Sequence, residues 1–492
     1  MYREPNTDRF MESGAHHLAG GNPILTEAKS SRDWRGILED LNAEHGFVPM
    51  RVEGQIPEDL EGTFLRNGPA NQGNFGQDYA HWFDGDGAVT GVRLAEGKAY
   101  GAIKIVQTPE YLEEQSAGKL IYPGFGTKVS GFLKRTKIKN VANTNLMQWQ
   151  DRLFALWEGG LPTEISSTEL DTIGRTDVEQ TIRGSFSAHH HRVHARRAQY
   201  NFGMNVGLKP SLDLYEFPDA GPARHLARIG MLANTMLHDF IVTNRYAIFL
   251  VSPIRLQNLR FILGRGTLAE NFTWCPELGT EVICIPLDSP DNVTRYQIEP
   301  FYQWHFANAF DRKDEVIIDF VRFEDFELVG WRADLESDTR GLTAFGELGR
   351  ARLNPSAKSF SYEPLAEHSV EFPSVNPSVT GAEHRYIYLT KHSKQALQER
   401  TLFDEIAKVD VATGSWSVFP LEGETVGSEP VFAPRPSPKS EDDGYLLSLV
   451  YDPQTHTSHV LILDATSLER GPLARIHFDH HIPYTFHGIW VP

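Results

Sequence analysis

The chain runs to 492 residues, with 47 Lys and Arg against 65 Asp and Glu and a formal charge of -18 at pH 7. That anionic surplus repels phosphate backbones and excludes nucleic acid as the expected partner. The only cysteines, Cys275 and Cys284, lack zinc-type pairing and cannot make a disulfide framework, which fits a reducing, cytoplasmic setting.

In chain order, residues 1–35 read as a polar, mobile leader without an apolar signal or anchor, and His16 and His17 within it read as solvent-exposed. Residues 36–492 read as a single domain. Helical periodicity is confined to 31–42, 110–119 and 395–399, too little to build a helical core. The runs at 246–250, 316–320, 386–389 and 445–450 are short, β-branched or aromatic, and bounded by turn residues, so the class is all-β. Segments 212–229, 281–298, 406–419 and 459–478 each read as strand, turn and strand. A His or Glu follows each of them, namely His238, His305, Glu429 and His487, with Glu371 falling between, at intervals of 58 to 67 residues. Blades of a β-propeller produce such a rhythm, because each blade begins with a strand beside the axis and can present one residue to a common centre. A β-sandwich is the rival architecture, and it would not gather so many stations.

Four single histidines, His189, His238, His305 and His487, each open a strand-like run, and none is paired with a cysteine. Neutral imidazoles drawn from distant parts of a chain suit a ferrous or similar mid-series metal, leaving its charge uncancelled and positions open for oxygen. The chain holds 20 histidines, however. His190, His191 and His194 crowd His189, while His480 and His481 precede His487, and a His-rich tract is as easily a solvated turn. Spacing does not choose among them. Gly68, Gly73 and Gly76 lie in a turn-rich segment without the strand-to-helix context of a dinucleotide loop, so no nicotinamide or flavin cofactor is expected. Leu120, Ile121, Tyr122, Phe125, Phe132 and Leu133 mingle with Lys119, Lys128, Lys134 and Arg135, a mixture suited to weak, peripheral contact with a bilayer. A second apolar stretch, 256–263, could border an entrance. The alternative is that both stretches pack as cap loops.

Eleven ordered segments carry a resemblance that runs from about Val52 to the end of the chain: FLRNGPA (64–70), HWFDGDGAV (81–89), NVANTN (140–145), LWEGG (156–160), SAH (187–189), LHDFIVT (237–243), WHFANAF (304–310), VEFPSVNP (370–377), SEPVFAPRP (428–436), EDDGYLLSLVYD (441–452) and HHIPYTFHGIW (480–490). On these the chain resembles the carotenoid cleavage oxygenases, and most of all their bacterial apocarotenoid-cleaving branch. The resemblance implies a seven-bladed β-propeller with a cap of loops and short helices over a metal centre, so that 36–492 form one propeller oxygenase domain. It implies Fe(2+) on His189, His238, His305 and His487, with Glu158, Glu371 and Glu429 taking the outer N–H of His238, His305 and His487 respectively, and no carboxylate for His189. Two departures stand out. His190 occupies a position where the family usually has proline, and Phe306 after His305 leaves His305 as the sole candidate in its stretch.

The implied activity is cleavage of a double bond in an apolar polyene by O2, an apocarotenal or apocarotenol giving two carbonyl products such as a retinal-like aldehyde. A stilbene-cleaving dioxygenase on the same scaffold is the second reading, and a propeller that displays a binding face without metal is the third.

Overall fold

The computed structural model describes residues 33–129, 137–327, 331–335, 345–366, 368–423 and 425–492. Apart from 33–35, the expected leader lies outside them, as do His16, His17, Phe132, Leu133, Lys134 and Arg135. The described strands form a seven-bladed β-propeller. Blade one runs outward from Asn145–Trp149 through Arg152–Leu156 and Thr163–Ile165 to Thr172–Arg175. Blades two, three, four and five repeat this four-stranded antiparallel order, starting from His191–Val193, Ile241–Val242, Tyr302–Arg312 and Val370–Ser374. Their outer hairpins include the 212–229, 281–298 and 406–419 segments expected from the sequence, and 459–478 is the corresponding hairpin of blade six.

Closure is made twice. Blade seven takes its innermost strand from His487–Val491, paired antiparallel with Gly62–Pro69, and its outermost from His45–Pro49. Blade six gains an outer strand from Arg51–Gly54, paired with Pro472–His477. Strands from the two ends of the described chain are thus hydrogen-bonded into adjacent blades, which removes the free edge an open ring would expose.

Burial follows position in the blade. Gly444–Asp452 is buried along nearly its whole length, since neighbouring blades cover both of its faces, whereas the outer strand Ser415–Pro420 alternates exposed and half-buried side chains. This contrast explains why middle strands read as continuous apolar runs and outer ones as alternation. The core sits between blades: Phe64, Val92, Ile462 and Ile476 fill the space between blades six and seven, and Tyr200, Phe202, Phe249 and Ile283 that between two and three. Burying each such side chain stabilises the fold by about 1.5–3 kcal/mol. Turn chemistry agrees with the register. Glu96 and Gly97 join Ala95 to Lys98 with φ of 52° and 68°, the two positive values that a two-residue type I′ hairpin requires.

Polar side chains also bridge successive blades. The Asn67 amide donates to the carbonyls of Ala142 and Asn145 (3.0 Å each), and the Asn145 amide donates to Ala188 O at 2.9 Å. Asp239 accepts from Phe306 N at 3.0 Å, and Ser374 Oγ donates to Pro430 O at 2.8 Å. Ala188, Phe306 and Pro430 adjoin His189, His305 and Glu429, so these contacts fix the backbone that carries the central side chains.

Helices are few. Pro109–Ala117 matches the expected 110–119, capped by Thr108 Oγ1 accepting from Tyr111 N, and Lys394–Glu399 matches 395–399. The helix expected over 31–42 is reduced to one 3-10 turn, Trp34–Leu38, because the Asp33 carboxylate caps it and the backbone at Glu39 is already extended. Short helices at Asn258–Ile262 and Arg332–Leu335 have no periodic signature in the sequence.

Candidate metal centre

His487 opens the closing strand of blade seven, His305 lies in the inner strand of blade four, and His238 and His189 sit just before the inner strands of blades three and two. The ring brings all four together: one ligand-type nitrogen from each lies within 4.8 Å of every other, and the group can hold a metal ion. His238 Nε2 is 3.0 Å from His189 Nε2 and 3.1 Å from His305 Nε2. The His487 ring centre is 4.7 Å from those of His189 and His305. Burial and the neighbouring rings hold the His189 and His487 imidazoles well below their usual range, leaving both neutral with lone pairs available. Burial acts the same way on His305, but Glu371 outweighs it and the net displacement is upward.

Behind three of the rings stand carboxylates. Glu158 meets His238 Nδ1, Glu371 Oε2 is 2.6 Å from His305 Nδ1, and Glu429 Oε1 is 3.1 Å from His487 Nδ1. Each acceptor fixes the Nδ1–H tautomer and turns Nε2 toward the centre. Among the described residues no carboxylate pairs with His189, whose backbone N–H instead donates to Ser187 Oγ at 3.0 Å. Glu429 is the most heavily bound of the three. It accepts from the fully buried Arg66 at 2.8 Å and from Gly488 N at 2.9 Å, yet burial still pushes its carboxyl up.

The competing histidines lie elsewhere. His191 Nε2 bonds Asp239 Oδ1 at 2.8 Å, and His194 Nε2 bonds Pro377 O at 2.6 Å. His190 has a buried Nδ1 without a hydrogen-bond partner and is not in the group of four. His480 and His481 pack near the N-terminal strand, against His45 and His456.

Above the centre lies a cavity of about 920 Å³ whose walls include Phe83, Phe125, Trp304, Phe372, Phe403 and Phe486. His238, His305 and His487 face it. Size and lining suit one long apolar molecule. Two wall positions are held by buried carboxylates, Glu371, expected from the sequence, and Asp84, which was not. Phe372, with φ of 53°, is held in the left-handed region, donates its N–H to Glu371, and stacks its ring 5.3 Å from His305. Asp84 is buried without a cation and accepts from Phe125 N, Gly126 N and Thr127 Oγ1, fixing the loop that carries Phe125; burial raises its carboxyl to about 6. An Asp within an apolar, aromatic stretch was the available signal in both HWFDGDG and LHDF, where Asp239 bridges three blades. Of the expected bilayer-facing side chains, Leu120 and Tyr122 are buried, as cap packing requires. Leu259 and Leu263 in the second stretch are 73% and 55% exposed.

A family model described as retinal pigment epithelial membrane protein matches residues 39–492. The apocarotenoid-15,15'-oxygenase of Synechocystis sp. is 32% identical over 94% of this chain and 96% of its own length. Resveratrol cleavage oxygenase 1 of Aspergillus fumigatus is 24% identical over 93% and 94%. A solved structure of cobalt-substituted Synechocystis apocarotenoid oxygenase superposes with a TM-score of 0.86 at 32% identity, covering 93% of this chain and 98% of that one. With the fold, the four-histidine centre and these matches in agreement, the chain belongs to the carotenoid cleavage oxygenase family.

Proposed function

We propose that this chain is a non-haem ferrous dioxygenase that cleaves a carbon–carbon double bond of an apocarotenoid, an apocarotenal or apocarotenol, into two carbonyl products such as a retinal-like aldehyde. The observation that carries the reading is the placement of three of four clustered imidazoles on the wall of an aromatic cavity. In this reading His189, His238, His305 and His487 hold the metal, and Glu158, Glu371 and Glu429 hold three of those rings in place. The donor set fits Fe(2+): imidazole nitrogens bring no charge of their own to the ion and leave a dication uncancelled, and the Nδ1 carboxylates raise ligand basicity. When bound, the ferrous ion supplies activation of dioxygen beside an electron-rich double bond.

The protein's own contribution is position and dryness. Phe83, Phe125, Phe403 and Phe486 grip an apolar polyene and exclude water, so that the bond to be cut rests beside the three rings that face the cavity. Residues 36–492 act as the single oxygenase domain in this account. Among the described residues no helix is long and apolar enough to cross a membrane. A cytoplasmic protein making weak bilayer contact through Leu259 and Leu263 fits delivery of an insoluble substrate.

Stilbene cleavage is the second reading, favoured by the full-length match to the resveratrol enzyme at lower identity. Product analysis decides between them. Iron-loaded protein given an apocarotenal and a hydroxystilbene under heavy dioxygen should turn over the apocarotenal and place label in both carbonyl products. Preferred turnover of the stilbene would replace the substrate assignment, and label confined to one product would contradict the dioxygenase.

A further inference from the structure

His45 and His480 lie 435 residues apart in sequence, yet their Nε2 atoms are 3.2 Å apart, with the rings nearly perpendicular at 79°. The partners of the other ring nitrogens set the tautomers. His45 Nδ1 is 2.9 Å from Gly46 O, and His480 Nδ1 is 2.8 Å from His481 O. A carbonyl oxygen only accepts, so both Nδ1 atoms carry the proton and both Nε2 atoms present lone pairs. Two lone pairs face each other at 3.2 Å with no proton between them, an arrangement that repels unless a cation is shared. The spacing matches the central group, where Nε2 atoms lie 3.0 and 3.1 Å apart and Nδ1 atoms are likewise held by oxygen acceptors. Two imidazoles each about 2.0–2.1 Å from one ion have this separation.

We propose that His45 and His480 form a second, peripheral site for a borderline divalent cation such as Cu2+ or Zn2+, fastening the outermost strand of blade seven to the segment that leads into His487. Both sides are built. His45 is paired with Ile103 in the His45–Pro49 strand, and the 478–482 segment is tied to Ser458 through Phe478 N, His480 O and Ile482 N. Two half-buried imidazoles supply the protein ligands, and water fills the remaining positions. The His481 carbonyl that holds Nδ1 and the neighbouring Asp479 carboxylate both favour positive charge at His480.

The site is independent of the central one and is tested with that one filled. Full-length, iron-loaded protein is titrated with Cu2+, the tightest-binding ion of its series, and followed by bound-copper stoichiometry and electron paramagnetic resonance. Wild type should take up one Cu2+ per chain more than His45→Gln or His480→Gln, show coupling to two nitrogens, and gain melting temperature that neither variant gains, with iron content equal in all three. The two variants sit on different elements, so both must lose the ion for the assignment to stand. Equal copper uptake by wild type and either variant, or a wild-type signal without two-nitrogen coupling, overturns it. A pair that changes only with pH and ignores copper binds a proton instead, and overturns it equally.

Discussion

At the scale of residues, the three glutamates beside the central rings should not be equivalent. Glu371 holds His305 and the Phe372 N–H, whereas Glu429 also neutralises a fully buried arginine. Glu371→Gln should therefore fold normally and bind iron about 10–100-fold more weakly, as loss of a ring-orienting partner does. Glu429→Gln should lose iron and also about 3–5 kcal/mol of stability, the cost of leaving Arg66 without its charge partner. Iron titration and denaturant melts of both variants check this, and equal stability losses would contradict it. A second contrast concerns pH. In the cavity wall His392 accepts from Ser369 Oγ through Nδ1 and donates through Nε2 to Thr401 O, and burial lowers its pKa from 6.5 to about 4. The folded form thus refuses a proton that the unfolded chain takes up below pH 6.5. Stability is fully present above 6.5 and falls as pH drops toward 4, by at most ~3 kcal/mol from this group. His392→Gln should flatten the slope of unfolding free energy over that window; parallel slopes for the two proteins would sink the assignment.

Between elements, legibility depended on whether the signal was local. Hairpins such as 406–419 and 459–478 are written in contiguous strand, turn and strand residues, and the structure places the first as the outer pair of blade five and the second just inside the outermost strand of blade six. The identity of the central histidines was less local. His189, His190, His191 and His194 are chemically alike, and what separates them is that His191 is drawn to Asp239 from another blade and His194 to Pro377 O, contacts set by ring closure. For the same reason Arg66 was missed, because its partners Glu429 and Thr485 are over 360 residues away. The short helices at 258–262 and 332–335 escaped for another reason: they are shorter than the window in which a 3.6-residue period can be recognised. The closing strand offers the sharpest test at this scale. A Cβ on Gly488 would fall 2.4 Å from Leu65 O and 2.5 Å from Arg66 Cδ. Gly488→Ala should push the 487–491 strand off Gly62–Pro69, costing roughly 1–3 kcal/mol and displacing His487. Thermal melts and bound iron should fall together, and a variant with wild-type values of both would contradict the closure described.

For the whole molecule, seven blades do one thing that no smaller part does: they converge imidazoles from blades two, three, four and seven beside one aromatic cavity. Val206 and Leu208 line that cavity and are 60% and 98% exposed. With Leu259 and Leu263 nearby in the cap, they predict weak, reversible sedimentation with liposomes that falls when Leu208 and Leu259 are changed to Ser. Sedimentation unchanged by lipid in the wild type would remove the bilayer from the account. The central claim, one iron held by four histidines, is tested most directly by iron K-edge absorption spectroscopy on the loaded protein beside iron counts for His189→Ala, His238→Ala, His305→Ala and His487→Ala. The account predicts one iron per chain in the wild type, a ligand set with four imidazole nitrogens, and loss of bound iron in every variant. A spectrum with fewer imidazoles, or undiminished iron in any one of the four variants, would contradict it.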